Sequence, residues 1–432
     1  ADGTEFYRCP AEPDPYDRVR LRLRCARENL DSVILVFNDE RIEMEKLYND
    51  RLFDYYETFV QLGTEQVFYY FEIHCGQTCY YNNVGLCNSV EEYYNFTMTP
   101  GFHTPDWAKG AVFYQIYVDR FYNGDRSNDV EDDEYFYIGE GTSKVTDWNK
   151  YPAAMGVREF YGGDIAGVMQ KLDYLQELGV EVLYLNPIFV SPSNHKYDIQ
   201  DYDYVDPHFG KIVSDHGELL HEGDRDNTHA TRYINRVTNI ENLEASNQLF
   251  IQLVEEVHKR GMKIILDGVF NHTGRDFFAF KDIQQNREHS RYLNWYCNVN
   301  FGGNTEYNDG FSYENWGGYN LLVKLNQRNP EVQNYICDVI RFWVSEFDVD
   351  GIRLDAADVL DFDFMRALRR TAAEVKEDFW LMGEVIHGDY SRWVNGETLH
   401  SVTNYALHKA LYSGHNDHNY FEIAHTVKYL QN

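Results

Sequence analysis

The stretch Asp350–Asp358, DGIRLDAAD, reads as a buried strand that closes on charge. Arg353 and Asp355 stand two residues apart, so a strand presents both on one face toward its carboxyl end. Taken alone they make a salt bridge within a strand, because charged residues are seldom buried without a partner. Two other apolar runs end in the same way: KIILDGV (263–269) on Asp267 and FWLMGEV (379–385) on Glu384.

Helical spacing separates these runs. Phe250, Leu253, Val254 and Val257 precede the first, Val332, Ile336, Val339, Ile340, Trp343 and Phe347 precede DGIRLDAAD, and a helix over about Asp361–Glu377 precedes the third. Upstream, AVFYQIYV (111–118) and VEVLYLN (180–186) are further strands, joined by a helix over Asp164–Gly179 with Ile165, Val168, Leu172, Leu175 and Leu178 on one face. SVTNY (401–405) offers a sixth strand. Alternating strands and helices point to a parallel sheet covered by helices, and no glycine-rich phosphate loop follows any strand. The expected fold class is therefore α/β, either a barrel or a doubly wound sheet, and in a barrel the functional side chains gather at the strands' carboxyl ends. Long excursions at Ser191 to about Leu243 and Thr273 to about Asn329 exceed simple turns, and the second is expected to be a loop domain (about 273–329).

Residues 1–104 read differently. VILVFN (33–38), FVQLGTEQVFYYFEIHC (59–75) and TCYYNN (78–83), broken by Gly, Asn and Asp, predict a small β-sandwich resembling a carbohydrate-binding module, and the Pro- and Gly-bearing MTPGFHTPDW (98–107) marks the linker to a barrel at 105–432. The 35 tyrosines suit a sugar-binding surface as well as a core. A formal charge of −31 repels phosphate backbones and anionic headgroups, so neither nucleic acid nor membrane is an expected partner. No run of about 18 apolar residues occurs, and the first residues lack the order of a signal peptide. Seven cysteines without C-x-x-C or paired zinc spacing point to reduced thiols and a cytoplasmic setting.

Asp355 and Glu384 are 29 positions apart, about one βαβ repeat, which places them on neighbouring strands roughly 4.8 Å apart. Carboxyls so close match the pair of a retaining glycosidase, roughly 5 to 5.5 Å, whereas an inverting pair stands wider. Arg353 would keep Asp355 ionised as a nucleophile, and the apolar flanks of Glu384 suit a proton donor. Asn271 and His272, just past their strand, could hydrogen-bond sugar hydroxyls. Asn123, Asp125, Asn128 and Asp129 bring four oxygen donors into seven residues, which is either a polar turn or a Ca²⁺ site.

With these residues in hand, the chain over about 105–432 resembles the α-amylase family, glycoside hydrolase family 13, which implies a (β/α)8 TIM-type barrel with about six of its eight repeats in this chain. DGVFNH (267–272), GIRLDAAD (351–358) and GEV (383–385) look like three of its conserved regions. Three further segments (160–180, 187–210 and 323–332) look like its neopullulanase, cyclomaltodextrinase and maltogenic amylase branch. The resemblance implies Asp355 as nucleophile and Glu384 as acid/base, Arg353 and His272 in the subsite of the cleaved sugar, Asp267 at its floor and Tyr197 stacking under the sugar. It implies a structural Ca²⁺ with Asp164 and the Gly162 carbonyl closing the site, no organic cofactor, and homodimerisation through the amino-terminal domain. The implied substrates are α-glucan oligosaccharides from starch, pullulan or cyclodextrins, cleaved at α-1,4 bonds, with α-1,6 bonds as the second option.

Two departures stand beside it. The family's third acid, in an Asn-His-Asp motif, is not found; SGHNDHN (413–419) has those letters in another order and reads as a solvated loop. The chain is accordingly expected to be one piece of a longer protein that supplies two strands, the third acid and a carboxyl-terminal β-domain, and to hydrolyse little by itself. Asp358-Val359 stands where the branch usually has Asn-Glu, which leaves the linkage preference open. The rival to an enzyme is a non-catalytic α-glucan-binding protein on the same scaffold, favoured by the missing acid and opposed by the retained pair.

Overall fold

The computed structural model describes residues 1–430, which fall into two compact units: Ala1–Thr104 with Val385–Gly396 and the chain from Val402 on, and Pro105–Glu384 with Glu397–Ser401. In the first unit, strands Arg8–Cys9, Arg18–Ala26, Phe53–Gln61 and Glu45–Asn49 form one antiparallel sheet in that spatial order. The second sheet runs Glu40–Glu43, Ser32–Phe37, Val67–His74, Thr78–Asn82, Gly85–Cys87, with Phe96–Met98 also on Val67–His74. The longest strand pairing involves RVRLRLRCA (18–26), a strand missed from sequence. Its period of two sends Val19, Leu21 and Leu23 into the sandwich core, while Arg18 and Arg24 lie over the rings of Phe59 and Phe53 at 4.3 and 4.5 Å. The expected continuous run 59–75 is two strands with a turn at 62–66.

The second unit is built on a six-stranded sheet, a partial barrel, with strands numbered here in chain order: β1 (Phe113–Ile116), β2 (Val182–Leu185), β3 (Lys263–Gly268), β4 (Gly351–Leu354), β5 (Trp380–Gly383) and β6 (Ser401–Val402). Neighbours from β1 to β5 are parallel. β2 and β4 are buried at every position, which is why they read as unbroken apolar runs. The expected helix over 164–179 is two, Ile165–Gln170 and Leu172–Glu177, divided at Lys171, whose N–H reaches Val168 O at 3.0 Å in a tighter turn. Helix Phe362–Val375 starts where Asp361 caps it, accepting from Asp363 N and Phe364 N. The excursion after β3 has its own elements, a helix at Phe278–Asn286 and a three-stranded antiparallel sheet of His272–Thr273, Tyr319–Lys324 and Asn315–Trp316.

At the amino-terminal end of β4, Asp350 ties strands and helices together. Its carboxylate meets His258 Nε2 at 2.7 Å, Lys263 Nζ and Lys376 Nζ at 3.0 Å, and Ile264 N at 3.0 Å. Burial opposes ionisation there, but these donors outweigh it and hold the carboxyl down to about 2. SGHNDHN is not the expected loop: Ser413–Asn416 complete the helix Tyr405–Asn416, and only the residues after it turn before the helix at Phe421. The periodic Ala406, Leu407, Ala410 and Leu411 ahead of it carry that helix forward.

Candidate active site

The site is assembled by register. Asp267 on β3 stands opposite Arg353 on β4, and Leu354 opposite Gly383 on β5, so Asp355 and Glu384 follow at matching carboxyl ends. Backbone bonds extend the ladder one step: Asp355 N donates to Gly268 O and Glu384 N to Leu354 O, each at 3.0 Å.

A single guanidinium joins all three acids. Arg353 Nη1 lies 2.9 and 3.1 Å from the two Asp267 oxygens and 3.0 Å from Asp355 Oδ1, while Nη2 lies 2.9 Å from Glu384 Oε2. Ala356 N also donates to Glu384 Oε2, at 3.0 Å, from a left-handed backbone (φ +47°) that a residue with a Cβ seldom adopts. Asp267 is sealed, Asp355 is 8% exposed, and the Glu384 side chain is 21% exposed, so access rises from floor to rim.

Two sequence expectations about environment are corrected here. Arg353 is not the whole environment of Asp355: burial first, then the charges of Asp267 and Glu384, push its carboxyl up against the pull of the guanidinium. Nor do apolar flanks wall the Glu384 carboxylate, which is held by Arg353 and Ala356 N. One cation thus serves three acids, whose shared guanidinium offsets the burial of Asp355 in part.

Asp267 takes two further donors, Tyr184 Oη at 2.6 Å and Tyr197 Oη at 2.8 Å on its Oδ2, and burial keeps both phenols protonated. Tyr197 in turn accepts from Asn186 Nδ2 at 2.9 Å, which Gln115 Nε2 orients through Asn186 Oδ1 at 3.0 Å. Tyr197 is half-buried beside Asp267. Tyr184, Asn186 and Gln115 were not expected. The only signal was a phenol and two amides in or just past otherwise apolar strands.

Asn271 and His272 are both buried, and their polar atoms are engaged inside the protein. Gln327 Nε2 donates to Asn271 Oδ1 (3.0 Å), Asn271 Nδ2 faces His272 Nδ1 (3.3 Å), and His272 Nε2 faces Tyr197 O (3.2 Å). This network makes Nε2 the donor and Nδ1 the acceptor, in keeping with an imidazole that burial pushes down to about 4 and so holds neutral. Instead of offering itself to a hydroxyl, Asn271 links the loop after β3 to Asp361 through Gln327, whose Oε1 accepts from Asp361 N at 2.6 Å.

The stretch before Tyr197 is fixed by a buried ionic chain that sequence spacing did not reveal. Lys196 Nζ meets Asp206 (2.7 Å), His208 bridges Asp206 and Glu134 (2.8 Å each), and Arg236 joins Glu134 (2.8 Å) to Asp215 (2.9 Å). Glu134 and Arg236 are 102 positions apart, so only folding brings them together.

The expected calcium ligands divide. Asn123 Nδ2 donates to Asp129 Oδ1 at 2.7 Å, and the Oδ1 atoms of Asn123 and Asn128 are buried with no hydrogen-bond partner. Gly162 packs so closely that an added Cβ would come within 2.5 Å of both Asn123 Nδ2 and Asp129 Oδ1. Orphaned hard oxygens beside a carboxylate fit a calcium ion. Asp125 and Asp164 also accept hydrogen bonds: Asp125 Oδ1 accepts from Ser127 N (2.9 Å) and Oγ (2.6 Å). Asp164 caps Ile165–Gln170, accepting from Gly167 N (2.5 Å), Asp125 N (2.8 Å) and Gly124 N (3.1 Å). Lys144 Nζ lies 3.1 Å from Asp129 Oδ2, a protein cation on the same carboxylate.

The family model for the α-amylase catalytic domain matches residues 115–229 and 233–431, and the model for the α-amylase N-terminal ig-like domain matches 13–103. The chain belongs to the α-amylase family. Its relatives include a cyclomaltodextrinase of Thermoanaerobacter pseudethanolicus, 32% identical over 421 residues, covering 93% of this chain and 64% of the relative. Neopullulanase 2 of Thermoactinomyces vulgaris is 35% identical over 418 residues, covering 93% and 63%. Among solved structures, a cyclomaltodextrinase superposes with TM-score 0.66 at 28% identity, covering 95% of this chain and 65% of that one. The type III pullulan hydrolase from Thermococcus kodakarensis gives TM-score 0.66 at 27% identity, covering 98% and 68%. The chain thus spans a little under two thirds of the length of these curated α-amylase-family relatives.

Val359, in the segment where the branch usually has Asn-Glu, is 47% exposed. It lines a cavity of about 710 Å³ together with Tyr296, Lys324, Gln327, Arg328 and Asp361, between the loop after β3 and the start of the helix at Phe362.

Proposed function

We propose that this chain carries the catalytic centre of a retaining glycoside hydrolase acting on α-glucans. The observation that carries the reading is Arg353, whose two terminal nitrogens reach Asp355 and Glu384 at once. One guanidinium spanning both carboxyls favours the short spacing of a retaining pair, roughly 5 to 5.5 Å. Asp355, the more enclosed, attacks the anomeric carbon of the sugar, and Glu384, nearer the rim, protonates the leaving oxygen. In the second half Glu384 takes the proton of the water that releases the sugar from Asp355, restoring both groups. Asp267, tied to Arg353, Tyr184 and Tyr197, holds the floor rigid, while the half-buried Tyr197 ring supports a sugar face. His272 stands behind Tyr197 as a positioning residue.

The names of the relatives support cyclodextrins and pullulan as substrates, with α-1,4 and also α-1,6 bonds in starch-derived oligosaccharides as the bonds cleaved. The proposed division is a β-sandwich at 1–104 and a barrel from 105 on with a loop domain at 273–329. Asn123, Asp125, Asn128, Asp129, Asp164 and the Gly162 carbonyl would hold a structural Ca²⁺, which supplies cross-linking and no chemistry. A homodimer contact through the amino-terminal domain is part of the same reading, and Phe68, exposed on the outer face of its sheet, is a candidate for it. Seven free thiols, and a relative named as an intracellular maltogenic amylase of Bacillus subtilis (34% identical over 330 residues), support a cytoplasmic setting.

The test is kcat/KM of the full-length protein on maltotriose, pullulan and β-cyclodextrin, against Asp355→Asn. A loss of about 10³-fold or more is expected on each substrate that is turned over; equal rates for the variant would remove Asp355 from the reaction.

A further inference from the structure

The segment Lys211–Val237 has no part in that chemistry, yet its tip gathers His221, Asp224 and His229 with their ligand atoms all within 4.8 Å of one another. The local chain explains how. Asp224 N donates to His221 O at 3.1 Å and His221 N to Asp224 Oδ2 at 2.8 Å, closing a turn in which Gly223 takes φ +90°. The chain then returns so that His229 Nδ1 lies 3.0 Å from Asp224 Oδ2, and the two imidazoles stack with centroids 4.4 Å apart. Glu218 Oε2 lies 3.2 Å from His221 Nε2.

A surface ion pair accounts for His229 with Asp224. It does not account for a second imidazole stacked on the first and carrying its own carboxylate. Imidazole nitrogens and carboxylate oxygens are the donors of a tetrahedral zinc ion, bound at about 2.0 to 2.2 Å and so standing about 3.4 Å from one another. Two of the contacts are already near that spacing, and the remaining closure is within the reach of side-chain rotation at half-exposed histidines. The backbone beneath is fixed on both sides: Leu220 N donates to Asp133 O at 2.9 Å, and Asn227 Nδ2 to Phe136 O at 3.1 Å. Hard calcium, by contrast, is poorly served by two imidazoles.

We propose that His221, Asp224 and His229, with Glu218 as the fourth side chain, bind a divalent transition metal, zinc foremost, which clips the tip of this segment. The untagged protein, stripped of metal and then supplied with saturating CaCl2, is titrated with ZnCl2 against a chromophoric chelator, and thermal unfolding is followed with and without ZnCl2. One zinc per chain and a raised Tm are expected. His221→Ala and His229→Ala should each weaken binding by about tenfold or more and abolish the shift in Tm. His216→Ala, in the same segment and outside the cluster, should bind as the parent does. Circular dichroism of the metal-free variants checks that they fold alike. Absence of stoichiometric uptake, or unchanged affinity in both cluster variants, would overturn the site.

Discussion

At Arg353 a single side chain decides the electrostatics of three acids. Its nitrogens are shared by Asp267, Asp355 and Glu384, so no acid has a cation to itself. The raised carboxyl of Asp355 has a consequence for stability. A carboxyl whose folded pKa exceeds its unfolded value of about 3.9 binds more protons when folded, so stability falls as pH rises above about 4, by about 1.4 kcal/mol per unit of displacement. Asp355→Asn keeps an acceptor for Arg353 and removes that penalty. Its urea midpoint should exceed the parent's at pH 7.5 and converge with it at pH 4; a variant less stable than the parent at pH 7.5 would contradict this. Arg353 and Asp355 were legible as a pair on one strand face, because period-two spacing is local. That the same arginine also serves Glu384 and Asp267 was not, since the protonation of a shared site depends on how three strands converge.

At the scale of elements, the barrel strands were legible wherever an apolar run ended in a charge. The 29-residue spacing of Asp355 and Glu384 reappears as the register Leu354 opposite Gly383. What misled was a strand with arginine at every second position, and a polar SGHNDHN that is in part a helix end. In the first, stacked rings and Glu57 cover the arginines, with Arg22 2.8 Å from Glu57; in the second, the upstream apolar face carries the helix forward. The ionic chain from Lys196 to Asp215 was illegible because its members are remote in sequence. Asp350 gives the element-scale prediction. It pins β3, β4 and two helices through His258, Lys263, Ile264 N and Lys376, so Asp350→Ala removes the one acceptor these four donors share. The expected cost is about 3 to 5 kcal/mol in denaturant unfolding, with m unchanged. A loss below about 1 kcal/mol would show that the tie is not structural.

Across the whole molecule, charge and buried imidazoles set the response to acid. Burial holds His272 down to about 4, and burial followed by the charge of Arg369 holds His400 to about 3. Each is neutral when folded but protonates near 6.5 when unfolded, so the unfolded chain binds more protons and stability is lost as pH falls from about 6.5. His400 accepts from Leu381 N at 3.0 Å through Nδ1, an acceptor that Asn can imitate. His400→Asn is therefore expected to flatten the fall in urea midpoint between pH 6.5 and 4.5, and an unchanged slope would refute the assignment. Among the described residues no helix is long and apolar enough to cross a membrane. The −31 charge acts in the other direction, favouring partners without negative charge, as neutral glucans are. The central claim is that Asp355 and Glu384 act as a retaining pair, and proton NMR of the first product released from β-cyclodextrin or pullulan by the full-length protein tests it most directly. The α-anomer should appear first and mutarotate to the equilibrium mixture; initial release of the β-anomer would contradict the account.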